Sequence, residues 1–147
     1  MTVPTPPYEI LEHPADVGLR ICGRTLSELF ANAAHGLMAL ALRSEDGSRT
    51  QTPTQAAEHV PVTAHGIDLE DLMVNWLSEI LYRIDSERWI FSDFSVSRVS
   101  DTMAEGEAVG AHHDLAARVV PVKAVTYHQL SVCQTPNGWE AVVYFDI

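Results

Sequence analysis

The chain has 147 residues, 46% of them hydrophobic, with twenty acidic against nine basic side chains and a formal net charge of −11. That length fits one domain able to bury about two-thirds of its unfolded surface, and no apolar run approaches the ~20 residues of a membrane-spanning helix. Autonomous nucleic-acid binding is disfavoured, because a phosphate backbone repels such a chain unless its basic residues cluster, and here a single lysine, Lys123, stands among scattered arginines.

Residues 1–7, "MTVPTPP", have neither a basic region nor an apolar signal core and read as a disordered lead to one domain over 8–147, placed in the cytoplasm. The stretch "YEILEHPADVGLRICG" from Tyr8 to Gly23 then sets two strand-like runs around a polar interruption of Glu12, His13 and Asp16, with Pro14 between them. A helix begins at Thr25, where "TLSE" forms a capping box, and Leu26, Leu29, Phe30, Ala33, Leu37, Met38 and Ala41 follow at spacings of three and four. The polar stretch from Ser44 to Ala57 predicts a surface loop, and Glu58–Thr63 a short strand. The strongest periodicity comes next: Leu69, Leu72, Met73, Trp76, Leu77, Ile80, Leu81 and Ile84 form one stripe behind an Asp68 cap. Asp68, Glu70 and Asp71 are acids in a first helical turn, where the helix dipole favours them without any metal.

The remainder predicts strands. "FSVSRVS" alternates from Phe94, "MAEGEAV" is a weaker segment, and "VKAVTYHQLSV" is a long run rich in β-branched and aromatic residues. Thr135–Gly138, "TPNG", is a tight reversal with "WEAVVYFDI" as the returning partner. The order of elements gives an α+β fold, two helices packed on a largely antiparallel sheet. Cys22 and Cys133, far apart and without CxxC spacing, are expected to be buried reduced thiols.

In the last strand Trp139, Ala141, Val143, Phe145 and Ile147 share one face, and Glu140, Val142, Tyr144 and Asp146 the other. Asp146 and the terminal carboxylate of Ile147, joined by Asp16 if the strands are neighbours, would make an all-oxygen pocket suited to Ca²⁺ or Mg²⁺. Taken alone, the same residues read better as solvated carboxylates. His112, His113 and Asp114 form an "HHD" run that reads as a solvated turn, and His128 as either a sheet residue or part of a partner surface. His13, three residues before Asp16, is placed to orient that carboxylate or to stabilise the turn. Phosphate-loop, G-x-S-x-G and H-E-x-x-H signatures are absent from the sequence.

The first thirty residues from Tyr8, the helix "DLMVNWLSEILY" and the ending "VKAVTYHQLSV…GWEAVVYFDI" together resemble the archease family in content, order and spacing. The H-x-A-D-x-G turn, the K-A-V-T-Y-H run and the terminal F-D-I carry the resemblance; Pro14 departs from it, standing where the family more often has threonine. The resemblance implies a non-catalytic accessory protein of the GTP- and metal-dependent RNA-splicing ligase that seals tRNA halves, promoting guanylylation of the ligase's active-site histidine and sustaining its turnover. It further implies a divalent metal site, calcium or magnesium, at Asp16, Asp146 and Ile147, and an activating role for Lys123. A metal-assisted hydrolase and a chaperone-like binding module for basic proteins are the competing readings.

Overall fold

The computed structural model describes residues 6–12, 16–42, 57–112 and 122–147. The elements are β1 (Tyr8–Glu12), β2 (Asp16–Gly23), α1 (Leu26–Leu42), β3 (Glu58–His65), α2 (Leu69–Asp85), β4 (Trp89–Val99), β5 (Met103–His112), β6 (Ala124–Val125), β7 (Ser131–Thr135) and β8 (Gly138–Asp146). Two helices pack against antiparallel strands, the α+β arrangement expected from the pattern, but the strands divide into two sheets. One has the order β1-β2-β8-β6, with β7 also paired to β8; the other has the order β3-β5-β4.

The helices start where their caps lie. The Thr25 hydroxyl accepts from the Glu28 amide at 3.1 Å, and the Asp68 carboxylate accepts from the Asp71 amide at 2.8 Å, each satisfying a first-turn donor that has no helical partner. Helix α1 is buried on nearly every side over Ala33–Leu42, because it lies between the sheets, packed on β2 and on β4. Helix α2 keeps an exposed face and buries Leu72, Met73, Trp76, Leu77, Ile80 and Ile84. The Trp76 indole N–H donates to the Phe30 carbonyl at 3.0 Å and its ring meets Phe30 edge-on at 6.2 Å. One residue thus fixes the register of the two helices.

Several boundaries differ from those the sequence predicts. Strand β3 runs on to His65 and β4 begins at Trp89, five residues before Phe94, since Trp89, Ile90 and Phe91 are all buried against the core. "MAEGEAV" is the first part of a ten-residue strand, β5, that pairs on both sides and reaches His112. The long run from Val122 to Val132 is not one strand. It breaks after Val125, where Thr126 turns both its amide (2.9 Å) and its hydroxyl (3.0 Å) onto the Tyr144 carbonyl, and Gln129 takes a positive φ of 50° before β7 begins.

The β7–β8 hairpin is as expected, with Thr135 opposite Gly138. Gly138 has φ 145°, and a Cβ there would lie 2.3 Å from the Gly23 carbonyl oxygen, so no other residue fits the turn unstrained. Neither cysteine is fully buried: Cys22 is half-buried and Cys133 exposed. Both face Glu140 from opposite sides of β8, about 10 Å apart over two strand spacings, which is too far for a disulfide. Burial, with Glu140 nearby, pushes the Cys22 thiol above its ordinary pKa. Residues 1–5 of the expected lead, most of the Ser44–Ala57 loop, His13, Pro14, His113 and Asp114 lie outside the described residues.

Candidate functional site

Strand β2 begins at Asp16 and β8 ends at Asp146, and the antiparallel register places these two residues directly opposite each other. Directly opposed residues project to the same side of a sheet. Here that side is the outer one, because Val17, Leu19 and Ile21, alternating with Asp16, are the residues buried against the helices, as are Ala141, Val143 and Phe145 on β8. The sheet therefore brings together two carboxylates 130 residues apart and leaves Asp146 exposed and Asp16 half-buried.

The β6 side completes the surroundings. Ala124 is the register partner of Asp146, and the Lys123 amide donates to the Asp146 backbone carbonyl at 2.8 Å. Lys123 is exposed and lies immediately before β6 rather than inside a strand. Its place beside the carboxylate pair is what singles it out. Ile147, at the end of β8, is 41% exposed.

One row along the same face, Gly18 is opposite Tyr144. A Cβ on Gly18 would lie 2.8 Å from Tyr144 Cε1, so the missing side chain is what lets the phenol ring lie across β2. The His128 ring stands 6.0 Å from that of Tyr144. His128 is in the turn between β6 and β7, not in a strand, and is exposed. Gly18 and Tyr144 were not singled out by sequence reasoning. The alternation of β8 alone put Tyr144 on the Asp146 face, but only the β2 pairing revealed the glycine that accommodates it.

A further row along, Arg20 bonds Glu9 at 3.3 Å and approaches Glu140 at 4.0 Å. This cation is thus engaged two rows away from Asp16. Among the described residues, no three His, Cys, Asp or Glu side chains gather as a metal-binding group. Two carboxylates and backbone carboxyl oxygen would be the available donors, a set suited to hard cations that prefer oxygen. His112, the one described member of "HHD", packs its ring on Trp89 at 3.9 Å and places Nδ1 2.8 Å from the Glu87 carbonyl, a structural arrangement at the end of β5.

Among the first-turn acids of α2, Asp71 is bonded to groups outside the helix. Asp71 accepts from the Tyr127 hydroxyl at 2.6 Å and from the Ile67 amide at 2.9 Å, and these bonds hold its carboxyl below the usual carboxylate range. The same Asp71 bond raises the Tyr127 phenol above its ordinary value, with a smaller contribution from desolvation. A surface cleft of about 640 Å³, with Cys22, Arg24, Asn32 and Trp139 in its wall, lies at the opposite end of β2 and β8 from the carboxylate pair.

Comparison with known proteins gives one consistent result. Residues 8–147 match the model of the "Archease protein family (MTH1598/TM1083)". The chain is 34% identical over 146 residues to a protein of Methanosarcina barkeri named Protein archease, covering 95% of each chain. It is 38% identical over 143 residues to a Saccharolobus islandicus protein of the same name, covering 95% of this chain and 98% of that one. The solution structure of Methanobacterium thermoautotrophicum Protein 1598 superposes with a TM-score of 0.70 at 27% identity, over 96% of this chain and 99% of that one.

Proposed function

Because this chain belongs to the archease family, we propose that it is an accessory protein that activates a GTP- and metal-dependent RNA-splicing ligase, promoting guanylylation of the ligase's active-site histidine and its repeated turnover in tRNA splicing. The observation that carries the reading furthest is the pairing of Asp16 with Asp146 across β2 and β8. Those are two of the three residues that the family resemblance assigns to a metal site, and they come together only through the fold.

Asp16, Asp146 and the carboxylate of Ile147 would hold a divalent cation, calcium or magnesium. Such an ion supplies positive charge against nucleotide phosphate oxygens. The chain's own residues do the rest. The carboxylates are held on strands rather than on a loop, so their spacing is kept by the β2–β8 ladder. The bond from the Lys123 amide to Asp146 keeps the lysine beside them, where its ammonium can contact a nucleotide phosphate or the ligase. The net charge of −11 favours a basic protein as partner over RNA itself.

The test is a guanylylation assay with the ligase, labelled GTP and metal, with and without this protein. A stimulated rate with ligase, together with no GTP or RNA turnover by this protein alone, supports an activator. Turnover without ligase would favour the metal-assisted hydrolase, and equal protection of an unrelated client would favour a chaperone.

A further inference from the structure

Four large apolar side chains are exposed among the described residues, and two of them, Ile67 at 86% and Tyr127 at 59%, are tied to one carboxylate. Asp71 takes the Ile67 amide on Oδ2 and the Tyr127 hydroxyl on Oδ1. Asn75 steadies the joint, donating to the His65 carbonyl at 2.7 Å and lying 3.4 Å from Asp71 Oδ2. Ile67 follows β3, in the three-stranded sheet, whereas Tyr127 follows β6, in the five-stranded one. The Ile67 backbone and the Tyr127 ring are therefore fixed beside one carboxylate while both side chains still face solvent. Surface anchors held in this way lose little freedom on docking.

Ile67 also lines a groove of about 490 Å³ with Leu69 and Val132, rimmed by Asp68, Glu70 and Asp101. The lining contains no basic residue. Asp68 is the cap of α2, but the side chains of Glu70 and Asp101 make no hydrogen bond or ion pair among the described residues. An apolar floor with an unneutralised acidic rim has a definite complement.

We propose that this groove and the neighbouring Tyr127 ring are the docking surface for a basic segment of a protein partner, with an aliphatic side chain seated between Ile67, Leu69 and Val132 and flanking lysine or arginine against Glu70 and Asp101. A second copy of this chain is a poor occupant, since it would bring one acidic rim against another. RNA is repelled by the same acids. Val132 is opposite Ala141, five positions along β8 from Asp146, and Tyr127 is four residues from Lys123, whose amide is bonded to Asp146, so a partner spanning the groove and the Tyr127 ring extends toward the carboxylate pair. The proposal rests on the reading of the chain as a ligase activator and names where the ligase would be gripped.

The experiment titrates the full chain into the ligase guanylylation assay as wild type, Ile67→Asp, Glu70→Lys with Asp101→Lys, and Asp146→Asn, with circular dichroism confirming that each variant is folded. Ile67 is outside the helices and exposed, so its replacement leaves the core intact. Both groove variants are expected to raise the half-saturating concentration at least tenfold with the plateau unchanged, and added salt should weaken the wild type more than the charge-reversed variant. Asp146→Asn should instead lower the plateau at an unchanged half-saturating concentration. Unchanged half-saturation in both groove variants would overturn the proposal, as would a wild-type dimer that Ile67→Asp dissociates. A peptide of alternating lysine and leucine, followed by NMR, separates the two readings if the wild type stimulates nothing. Shifts centred on Ile67, Leu69 and Val132 then support the groove while the ligase reading falls, and their absence sinks both.

Discussion

Replacing Asp146 by asparagine tests the carboxylate pair from both sides. In the β2–β8 register Asp16 and Asp146 are directly opposed, which sets their Cβ atoms about 5 Å apart. Two unit charges at that separation repel by about 3 kcal/mol at an effective dielectric near 20. Solvent reaches exposed Asp146 freely and half-buried Asp16 in part, so the penalty in the metal-free protein falls to about 1 kcal/mol or less. In chelator, Asp146→Asn should therefore melt up to about 2–4 °C higher than the wild type, the shift that 1 kcal/mol produces in a chain of this size. Calcium reverses the order. At a hundred times its Kd a ligand that binds only the folded state adds about 2.7 kcal/mol, so the wild type should gain several degrees and the variant much less. Differential scanning calorimetry with chelator, Ca²⁺ and Mg²⁺ measures all of these, and the same series on Asp16→Asn and on a form extended beyond Ile147 tests the other two groups. A lower melting temperature for Asp146→Asn in chelator would refute the repulsion. Equal calcium shifts in every form would remove the metal site.

Further outcomes follow from the same geometry. Lys123→Ala should fold normally, because the contact that anchors this residue is made by its backbone amide, yet fail to stimulate ligase guanylylation; full stimulation would exclude the ammonium. Trp76→Phe should cost about 2–3 kcal/mol in chemical denaturation, since it removes buried ring volume and the bond to the Phe30 carbonyl. The Asp71–Tyr127 bond makes a pH-dependent contribution. Asp71 is lowered in the folded state, so its share is present above the ordinary carboxylate range and lost as pH falls through the folded value. Tyr127 is raised, so its share is present below the ordinary tyrosine range and lost as pH climbs through the folded value. The difference in melting temperature between wild type and Tyr127→Phe should thus be level around neutrality and shrink at both extremes. A pH-independent difference would mean that the bond does not form in solution.

Local chemistry was enough to specify the two helices and the final hairpin. Thr25 and Asp68 mark the helix starts, the apolar stripes have a 3.6-residue period, and "TPNG" can only reverse the chain between two β-rich runs. Each of these signals lies within a few residues of what it determines. The same is true of the alternation along β8 that sets Tyr144 and Asp146 on one face.

Tertiary structure decided where pairing is distant. Residues 122–132 have the composition of one strand, but the Tyr144 carbonyl captures Thr126 from eighteen positions away and stops the pairing at Val125; no glycine marks the break, because Gln129 itself takes the positive φ. The division of strands between two sheets, the exposure of Cys133 and the link from Asp71 to Tyr127 likewise depend on contacts made across the fold. The carboxylate pair shows this dependence most clearly. Each aspartate could be read from the sequence as a candidate, but whether they meet rests on the registration of β2 against β8, which core packing sets: a one-residue slip would turn Leu19, Ile21, Val143 and Phe145 out to solvent. The hydrophobic face of the sheet, far more than the acids themselves, is what holds Asp16 opposite Asp146.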